Sequence, residues 1–162
     1  PGFDIDQVTP GKPVNNRPIV NTLDSHMYKD ILVPIVFDHD PSEQQALAVA
    51  HKLAKAGGKV TLLHIVEELP GFITVQLPEE IYKDTIAEAK SKLQALAKTL
   101  PIPIDVMVET GHASRRILQC AEQLKADCIV ISSHKPGLSD YFLGSTAAQV
   151  VRHATCTVHV LR

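Results

Sequence analysis

The sequence predicts an α/β protein with a doubly wound parallel sheet of five strands and helices on both faces. Short apolar runs alternate along the chain with longer segments of helical periodicity, in the order β-α-β-α-β-α-β-α-β. Most of the strand candidates are apolar at consecutive positions, as strands buried on both faces are. Most connections are short, and an alternation of strands and helices with short connections is typical of a parallel sheet.

Residues 1–26 are expected to lie outside this domain. They are rich in proline and polar residues and show no sustained helical or strand period. The dipeptide His26-Met27 is one that a common cloning junction encodes, and a strand pattern begins directly afterwards, at Tyr28. We interpret residues 1–26 as a vector-derived leader, with a natural disordered extension as the alternative. Residues 27–162 are predicted to form one domain.

The first strand, the first helix and the second strand follow one another closely. Residues 30–36 form a short, nearly continuous apolar run, which predicts a buried strand. Asp40 can cap a helix, and Pro41 suits its first position. The apolar residues of 46–54 then recur at helical spacing until two consecutive glycines end the helix. Residues 60–66 are predicted to be the second strand.

A loop over residues 67–78 leads into the second helix, which is expected at residues 79–100. Loops of this length are often functional. Pro101 and Pro103 end the helix, because proline lacks a backbone N–H and its ring clashes with the preceding turn. One side of the helix is expected to face the core with Ile81, Ile86, Ala89, Leu93, Leu96 and Leu100.

The last part of the domain is predicted to hold three strands and two helices. Residues 104–108 alternate between apolar and polar, which is typical of a strand near the edge of a sheet. A helix at 114–125, a buried strand at 128–131, a helix at 144–153 and a strand at 157–161 complete the chain. In such sheets ligands bind at the carboxyl ends of the strands, where the winding reverses. Functional residues are therefore expected in the loops that follow strands.

Charge and hydropathy exclude several classes of protein. The net charge is −2 with both signs interspersed, so there is no electrostatic basis for binding nucleic acid or an anionic membrane. The apolar runs of the domain are too short to span a bilayer. Cys120, Cys128 and Cys156 form no C-x-x-C motif and are expected to be buried thiols in a reducing compartment.

The eight histidines do not indicate a metal site. They are scattered singly over separate elements, without a thiol or carboxylate at ligand spacing, so we expect structural or surface roles for them. Arg152 and His153 suit the negative C-terminal end of the last helix. A Gly-x-Ser-x-Gly elbow, a Walker-type lysine and a Cys–His pair are all absent from the sequence, so no catalytic residue is predicted.

One polar segment, residues 132–146, has the features of a binding site. It follows a buried strand and leads into a helix that opens with Gly144, Ser145 and Thr146. A helix N-terminus offers unpaired N–H groups and a partial positive charge, which suit a phosphate. Lys135 could neutralise that phosphate. A plain helix cap is the alternative that the pattern leaves open.

Several runs of the domain together resemble the universal stress protein family. They are the opening MYKDILVP at 27–34, LLHIV at 62–66, Gly111 before a helix, ADCIVISSH at 126–134, LGSTA at 143–147 and VRHATCTV at 151–158. The likeness covers residues 27–162 in order, and the C-terminal part is most similar to the enterobacterial F and G types. It implies a Rossmann-like fold, a cytoplasmic location and a homodimer paired through the last strand.

The resemblance also implies a site for ATP. The adenine is expected near Ile65 and the triphosphate on residues 144–146, with Gly111 and His112 close to the pocket. The other residues that the resemblance places at the site are Pro34, Ile35, Val36, Ser132, His134 and Lys135.

This chain departs from the ATP-binding pattern of the family at three positions. Ser132 and Lys135 stand where ATP-binding members have two glycines of a phosphate-binding loop. Val36 stands where those members have an acidic residue that contacts the ribose. Asp38 lies two residues further on and could take over that contact.

Three functions are left open by the sequence. The first is an ATP-binding regulatory module of the stress response, with Mg²⁺ as the companion ion of the nucleotide. The second is an interaction protein of the same fold that has lost nucleotide binding, which Val36, Ser132 and Lys135 favour. The third is a slow ATP hydrolase, for which no pair of residues to orient water and hold a metal is evident. We therefore predict a binding module rather than an enzyme, without nucleic-acid binding, membrane insertion or a protein-held metal; its regulatory partner is not identified.

Overall fold

The strands form one parallel sheet with helices on both faces. The computed structural model describes residues 28–37, 42–67, 79–133 and 143–161. The strands are Tyr28–Pro34 (β1), Ala54–Val66 (β2), Ile104–Thr110 (β3), Cys128–Ser132 (β4) and Thr157–Leu161 (β5). The helices are Ser42–Leu53 (α1), Glu79–Ala97 (α2), Ala113–Leu124 (α3) and Ser145–His153 (α4). The predicted Rossmann-like α/β class and the predicted order of elements are confirmed.

The sheet is wound in two directions from its centre. The strand order is β3-β2-β1-β4-β5, and all neighbouring strands are parallel. The chain moves outward from β1 through β2 to β3, crosses back to β4 on the other side of β1, and then moves outward to β5. The connections that leave β1 and β4 therefore diverge, and a crevice opens between them at the carboxyl ends of the strands.

Two apolar cores lie on the two faces of the sheet. The core under α1 and α2 includes Ile31, Val33, Ala46, Leu62 and Leu93. The core under α3 and α4 includes Leu32, Leu63, Ile117, Ile129 and Val150. Because successive strand residues point to opposite faces, both cores draw on adjacent residues of one strand, such as Leu32 and Val33. This explains why the central strands are continuously apolar in sequence.

The first helix is shorter, and the second strand longer, than predicted. α1 ends at Leu53 and β2 begins at residue 54, so the predicted helix to 54 and strand from 60 are wrong. β2 pairs with β1 on either side of a bulge that contains the two glycines. Gly57 has a φ of +73°, and a Cβ on Gly58 would lie 2.9 Å from the Lys55 carbonyl oxygen. The glycines therefore permit a bulge within the strand and do not end the helix.

The first turn of α2 does not face the core as predicted. Leu93 is fully buried and Ala89 is 5% exposed, but Ile81 is 50% exposed. Thr85 already lines the crevice beyond the strand ends, so Ile81, one turn earlier, lies past the sheet. α2 also ends at residue 97, before the predicted residue 100.

The other elements begin and end within two residues of the predicted bounds, and β3 is an edge strand as expected.

The burial of the cysteines agrees only in part with the prediction. Cys120 and Cys128 are buried, whereas Cys156 is half-buried, so the prediction of three buried thiols is wrong for Cys156. Cys156 lies in the short turn before β5, where the α4 side of the edge strand is incompletely covered.

The amino ends of β1 and β4 are joined by one carboxylate. Asp127 accepts hydrogen bonds from the backbone N–H groups of Lys29 (2.8 Å) and Asp30 (3.0 Å). Its own N–H donates to the Asp30 carbonyl oxygen at 2.9 Å. These bonds hold β4 beside β1, the two strands between which the crevice opens.

Candidate functional site

A crevice lies at the carboxyl ends of β1, β2 and β4, the place that the winding of the sheet predicts. Its volume is about 500 Å³, within the range of pockets that hold small organic ligands. Residues 34–36, which end β1 and follow it, form one wall. Ser132 at the end of β4 and Thr146 in the first turn of α4 lie on the side of β1 that faces β4.

The floor of the crevice is apolar. It consists of Leu63 and Ile65 from β2, Ile117 from α3 and Ile131 from β4. Leu63, Ile117 and Ile131 each have at most 4% of their surface exposed to solvent. Aliphatic side chains held in place by packing offer many van der Waals contacts to a flat ring laid against them. This floor suits a planar heterocycle.

His64 holds the wall that follows β1. Its Nδ1 lies 2.9 Å from the carbonyl oxygen of Ile35. Because a carbonyl oxygen only accepts, Nδ1 carries the proton and donates. The imidazole also packs against the ring of Phe37 at a centroid distance of 4.6 Å, and the Ile35 N–H donates to the Leu63 carbonyl oxygen at 2.8 Å. The wall is thereby tied to β2 by two hydrogen bonds and a ring contact.

The N-terminus of α4 faces the crevice without a side-chain cap. Gly144 is the N-cap residue, with extended backbone angles (φ −54°, ψ 148°), and no side-chain hydrogen bond from a described residue caps the helix. A plain helix cap, the alternative that the sequence left open at this helix start, is therefore not seen among the described residues. The Gly144 N–H donates to Ser133 Oγ at 3.2 Å, which ties the helix start to the end of β4. The N–H groups of the first turn can thus receive an anion, favoured by the helix dipole.

Gly111 shapes the turn between β3 and α3. Its φ is +124°, a region that favours glycine, and its N–H donates to the Val66 carbonyl oxygen at 3.1 Å. Arg116 in the first turns of α3 forms an ion pair with Glu109 of β3. Gly111 itself does not line the crevice, but Ala113, two residues on, does. Its contribution is to aim α3 at the crevice.

The charge of the described lining is negative. Two carboxylates line the crevice, Glu43 from the first turn of α1 and Glu67 after β2. No lysine or arginine is found among the described lining residues. A phosphate in the crevice would therefore need positive charge from the α4 N-terminus, from a bound cation or from residues outside the described part of the chain.

The described residues offer no metal cluster and no reactive thiol at the crevice. Across the described ranges, no three His, Cys, Asp or Glu side chains come together as a metal site requires. Burial raises the pKa of Cys128 to about 12, and burial likewise raises the pKa values of Cys120 and Cys156. These thiols stay protonated at neutral pH, which disfavours nucleophilic or metal-binding roles.

The structure brings together most of the residues predicted to form the site. The crevice is lined by Pro34, Ile35, Val36, Ile65, Ser132 and Thr146, with Gly144 and Ser145 at the start of α4 beside it. Gly111 lies outside the lining. His134, Lys135 and Asp38 lie outside the described residues, so their contacts with a ligand stay predictions.

Sequence reasoning missed several lining residues. They are Glu43, Leu63, His64, Val66, Glu67, Thr85, Ala113, Ile117 and Ile131. Four of them adjoin a predicted site residue or end a predicted strand, a position that could have indicated them: His64, Val66, Ala113 and Ile131. Thr85 has no such signal, because only the packing of α2 brings it to the crevice.

Comparisons with known proteins agree with this fold. The model of the universal stress protein family matches residues 27–162. The chain is similar to universal stress protein G of Salmonella typhimurium (strain LT2), with 34% identity over 146 residues, covering 84% of this chain and 100% of that protein. It is also similar to the structure of the universal stress protein UspA from Lactobacillus plantarum, with a TM-score of 0.64, 26% identity, and coverage of 84% and 99%.

Two similar structures contain a nucleotide. One is a universal stress protein from Archaeoglobus fulgidus in complex with dAMP, with a TM-score of 0.54, 17% identity, and coverage of 84% and 99%. The other is a universal stress protein in complex with cAMP, with a TM-score of 0.62, 21% identity, and coverage of 83% and 97%. At these identities the likeness establishes the shared fold. With the family model matched from 27 to 162 and protein G aligned over its full length, this chain belongs to the universal stress protein family.

Proposed function

We propose that this protein binds ATP or another adenine nucleotide in the crevice and acts as a regulatory module of the stress response. The observation that carries the proposal is an apolar floor beside an uncapped helix N-terminus at the switch point of the sheet. A floor of this kind suits a purine, and such a helix start suits a phosphate. The dAMP and cAMP complexes of proteins with this fold support the choice of an adenine ligand.

The proposed orientation follows from where each kind of contact lies. The base packs on Ile65 and its apolar neighbours, and the phosphates reach the N–H groups at residues 144–146. Glu43 and Glu67 make the described lining negative, which disfavours a bare triphosphate. A Mg²⁺ ion bound with the nucleotide would offset that charge, and so would Lys135. We therefore propose Mg²⁺ as the companion ion.

We also propose a homodimer that pairs through β5, in the cytoplasm. β5 is an edge strand without a charged residue, and exposed edges of this kind favour pairing. The other edge strand, β3, is less suited to a dimer. If the β3 strands of two copies paired antiparallel about their central residue, Asp105 of one copy would lie opposite Glu109 of the other, and these like charges would repel. Among the described helices, none is both long and apolar enough to cross a bilayer. Sedimentation of the wild type and of His159→Asp tests the dimer. The wild type should sediment as a dimer, whereas the variant, which puts like charges opposite each other on the two β5 strands, should sediment as a monomer.

A second candidate function is a stress-related interaction protein that binds no nucleotide. Val36 favours it, because this aliphatic side chain is 65% exposed at the crevice wall and offers no acceptor for a sugar hydroxyl. No observation favours the third possibility, a slow ATP hydrolase.

Calorimetric titration of the full chain with Mg-ATP tests the proposal. Gly144→Arg should abolish binding, because its side chain occupies the start of α4. Gly144→Ala is the matched control: its Cβ would lie 3.7 Å from the Ser133 carbonyl oxygen, an ordinary contact, so binding should persist. A denatured sample is assayed beforehand for co-purified nucleotide. An absence of both binding and carried nucleotide would show that the second candidate is correct.

A further inference from the structure

β3 has a free outer edge in the described structure. It pairs with β2 through seven residues, from Ile104 to Thr110. No described strand lies on its other side. The backbone N–H and C=O groups that point outward are therefore available to a further strand.

The side chains of β3 are poorly covered as well. None of its seven residues is buried, although Ile104, Val106, Met107 and Val108 are apolar. The first four residues of β4, by contrast, are all buried between the two helix layers. On the side of α3 and α4, Met107 contacts the second core only at its margin. An added strand would therefore bury apolar surface as well as satisfy backbone groups.

A groove of about 900 Å³ runs along this edge and onto both faces of β3. On the α2 side it is lined by Leu100, Ile102 and Val106, and on the α3 side by Met107 and Leu124. The groove is distinct from the crevice, since the two share no lining residue.

The charges around the groove favour an acidic occupant. Lys59 is paired with Asp105 at 2.6 Å, which offsets the one carboxylate of the lining. Lys98, just beyond the end of α2, also lines the groove, is exposed, and forms no ion pair within the described residues. The groove thus carries one surplus positive charge at its α2 rim.

We propose that the outer edge of β3 binds an extended segment of a partner protein in which apolar residues alternate with acidic ones. The segment adds a strand to the sheet. Backbone hydrogen bonds to β3 supply affinity that does not depend on sequence, and alternate side chains enter the groove. The apolar side chains face the α3 side and contact Met107 and Leu124, and an acidic side chain on the α2 side reaches Lys98. The dimer edge, β5, lies at the opposite side of the sheet and stays free for the second copy.

The position of β3 gives this surface a link to the crevice. The carboxyl end of β3 continues through Gly111 into α3, and Glu109 is paired with Arg116 of that helix. Ile117, the next residue of α3, lies in the crevice floor. The partner would therefore bind a strand that is paired, through Glu109 and Arg116, with the helix that supplies Ile117 to the crevice floor. The regulatory meaning of this link rests on the proposed nucleotide function, whereas the binding itself does not.

Fluorescence anisotropy with capped, fluorescein-labelled peptides tests the proposal on the full chain without nucleotide. In one peptide valine alternates with glutamate, and in a second valine alternates with lysine. A third is the glutamate peptide with an N-methylated backbone, which cannot donate to β3. We expect the glutamate peptide to bind at least about tenfold more tightly than the lysine peptide, because complementary charge sets the choice of partner. The N-methylated peptide should not bind.

Two exposed lysines on or near the same helix provide the matched variants. Lys98→Glu should reduce binding of the glutamate peptide by about tenfold and improve binding of the lysine peptide. Lys90→Glu makes the same change in charge on exposed α2 surface outside the groove, and it should leave both affinities unchanged. Equal effects of the two variants, equal binding of the two charged peptides, or undiminished binding of the N-methylated peptide would each overturn the proposal. Mg-ATP titration of the same samples is a separate readout, so failure of the nucleotide function and failure of this one are distinguishable.

Discussion

Replacing Gly111 by alanine tests whether the turn between β3 and α3, which positions α3 at the crevice, requires a glycine. Gly111 has a φ of +124°, and its N–H is bonded to the carbonyl oxygen of Val66 at the end of β2. A Cβ at this position would lie 3.3 Å from Cγ of Arg116, closer than most such contacts. The substitution therefore strains both the backbone and the side chain that is paired with Glu109.

The expected loss of stability follows from two opposing terms. Holding a non-glycine residue in a sparsely populated backbone region costs about 1–3 kcal/mol. Alanine also restricts the unfolded chain, which offsets about 0.4–1 kcal/mol of that cost. Since the Arg116 side chain can move away from the new Cβ, the contact between them is assigned no further cost in free energy. The free energy of unfolding should fall by about 1–2 kcal/mol.

Urea unfolding followed by circular dichroism measures this loss. With an m-value of about 2 kcal/mol/M, the midpoint should fall by about 0.5–1 M. Gly144→Ala is the control, since Gly144 has a φ of −54° that alanine adopts freely. Its free energy of unfolding should change by less than about 0.5 kcal/mol. If Gly111→Ala cost no more than Gly144→Ala, the argument from the positive φ would be refuted.

Three further predictions concern the core, the thiols and the joint between β1 and β4. Leu93→Ala should lower the free energy of unfolding by about 2–5 kcal/mol in urea titrations, because Leu93 is fully buried; Ile81→Ala should cost less than about 0.5 kcal/mol. Burial raises the pKa of Cys128 from its ordinary 9.0 to about 12. Unfolding therefore releases its proton between these pH values, so the measured free energy of unfolding should decrease as pH rises through that window and stay unaffected by this thiol below it. Native Cys128 should also react with Ellman's reagent at pH 8 more slowly than Cys156. Asp127→Ala should cost about 1–2 kcal/mol in thermal or urea unfolding, because two N–H groups of β1 lose their acceptor.

Each of these predictions has an outcome that would contradict it. Equal costs for Leu93→Ala and Ile81→Ala would show that α2 is packed in another orientation. Replacing Cys128 by alanine should remove its share of the pH dependence, and an unchanged profile above pH 9 would exclude this thiol as the cause. Asp127→Asn keeps one acceptor and should cost less than Asp127→Ala; the reverse order would mean that the two hydrogen bonds do not hold β1.

The fold class was predictable from the central strands. Leu32 and Val33 are adjacent and point to different cores, so a buried strand must be apolar at both positions. Element boundaries were less predictable where two structures compete for the same residues. Ala54 continues a helical pattern, but pairing with Tyr28 takes it into β2, and the bulge at Gly57 accommodates the extra length.

Local sequence signals located only part of the candidate site. Residues 34–36, 65, 132 and 146 follow or end strands or begin a helix, and such positions converge in any sheet of this winding. Thr85 lies within α2, the longest of the described helices, and nothing in the local sequence distinguishes it from Ile81 or Ile86. The negative charge of the lining likewise needed the structure, because Glu43 and Glu67 belong to different connections.

By itself, the sequence determined the parallel α/β architecture, the order of its elements and the family, because these depend on hydropathy period and short runs of neighbouring residues. The tertiary structure alone decided which edge of the sheet is charged, which residues of α2 reach the crevice and where an open groove lies beside β3. Those features arise from contacts between residues far apart in the chain. The period of apolar residues in the sequence indicates on which face of a helix or strand a side chain lies. The packing of the elements determines which other residues that face contacts.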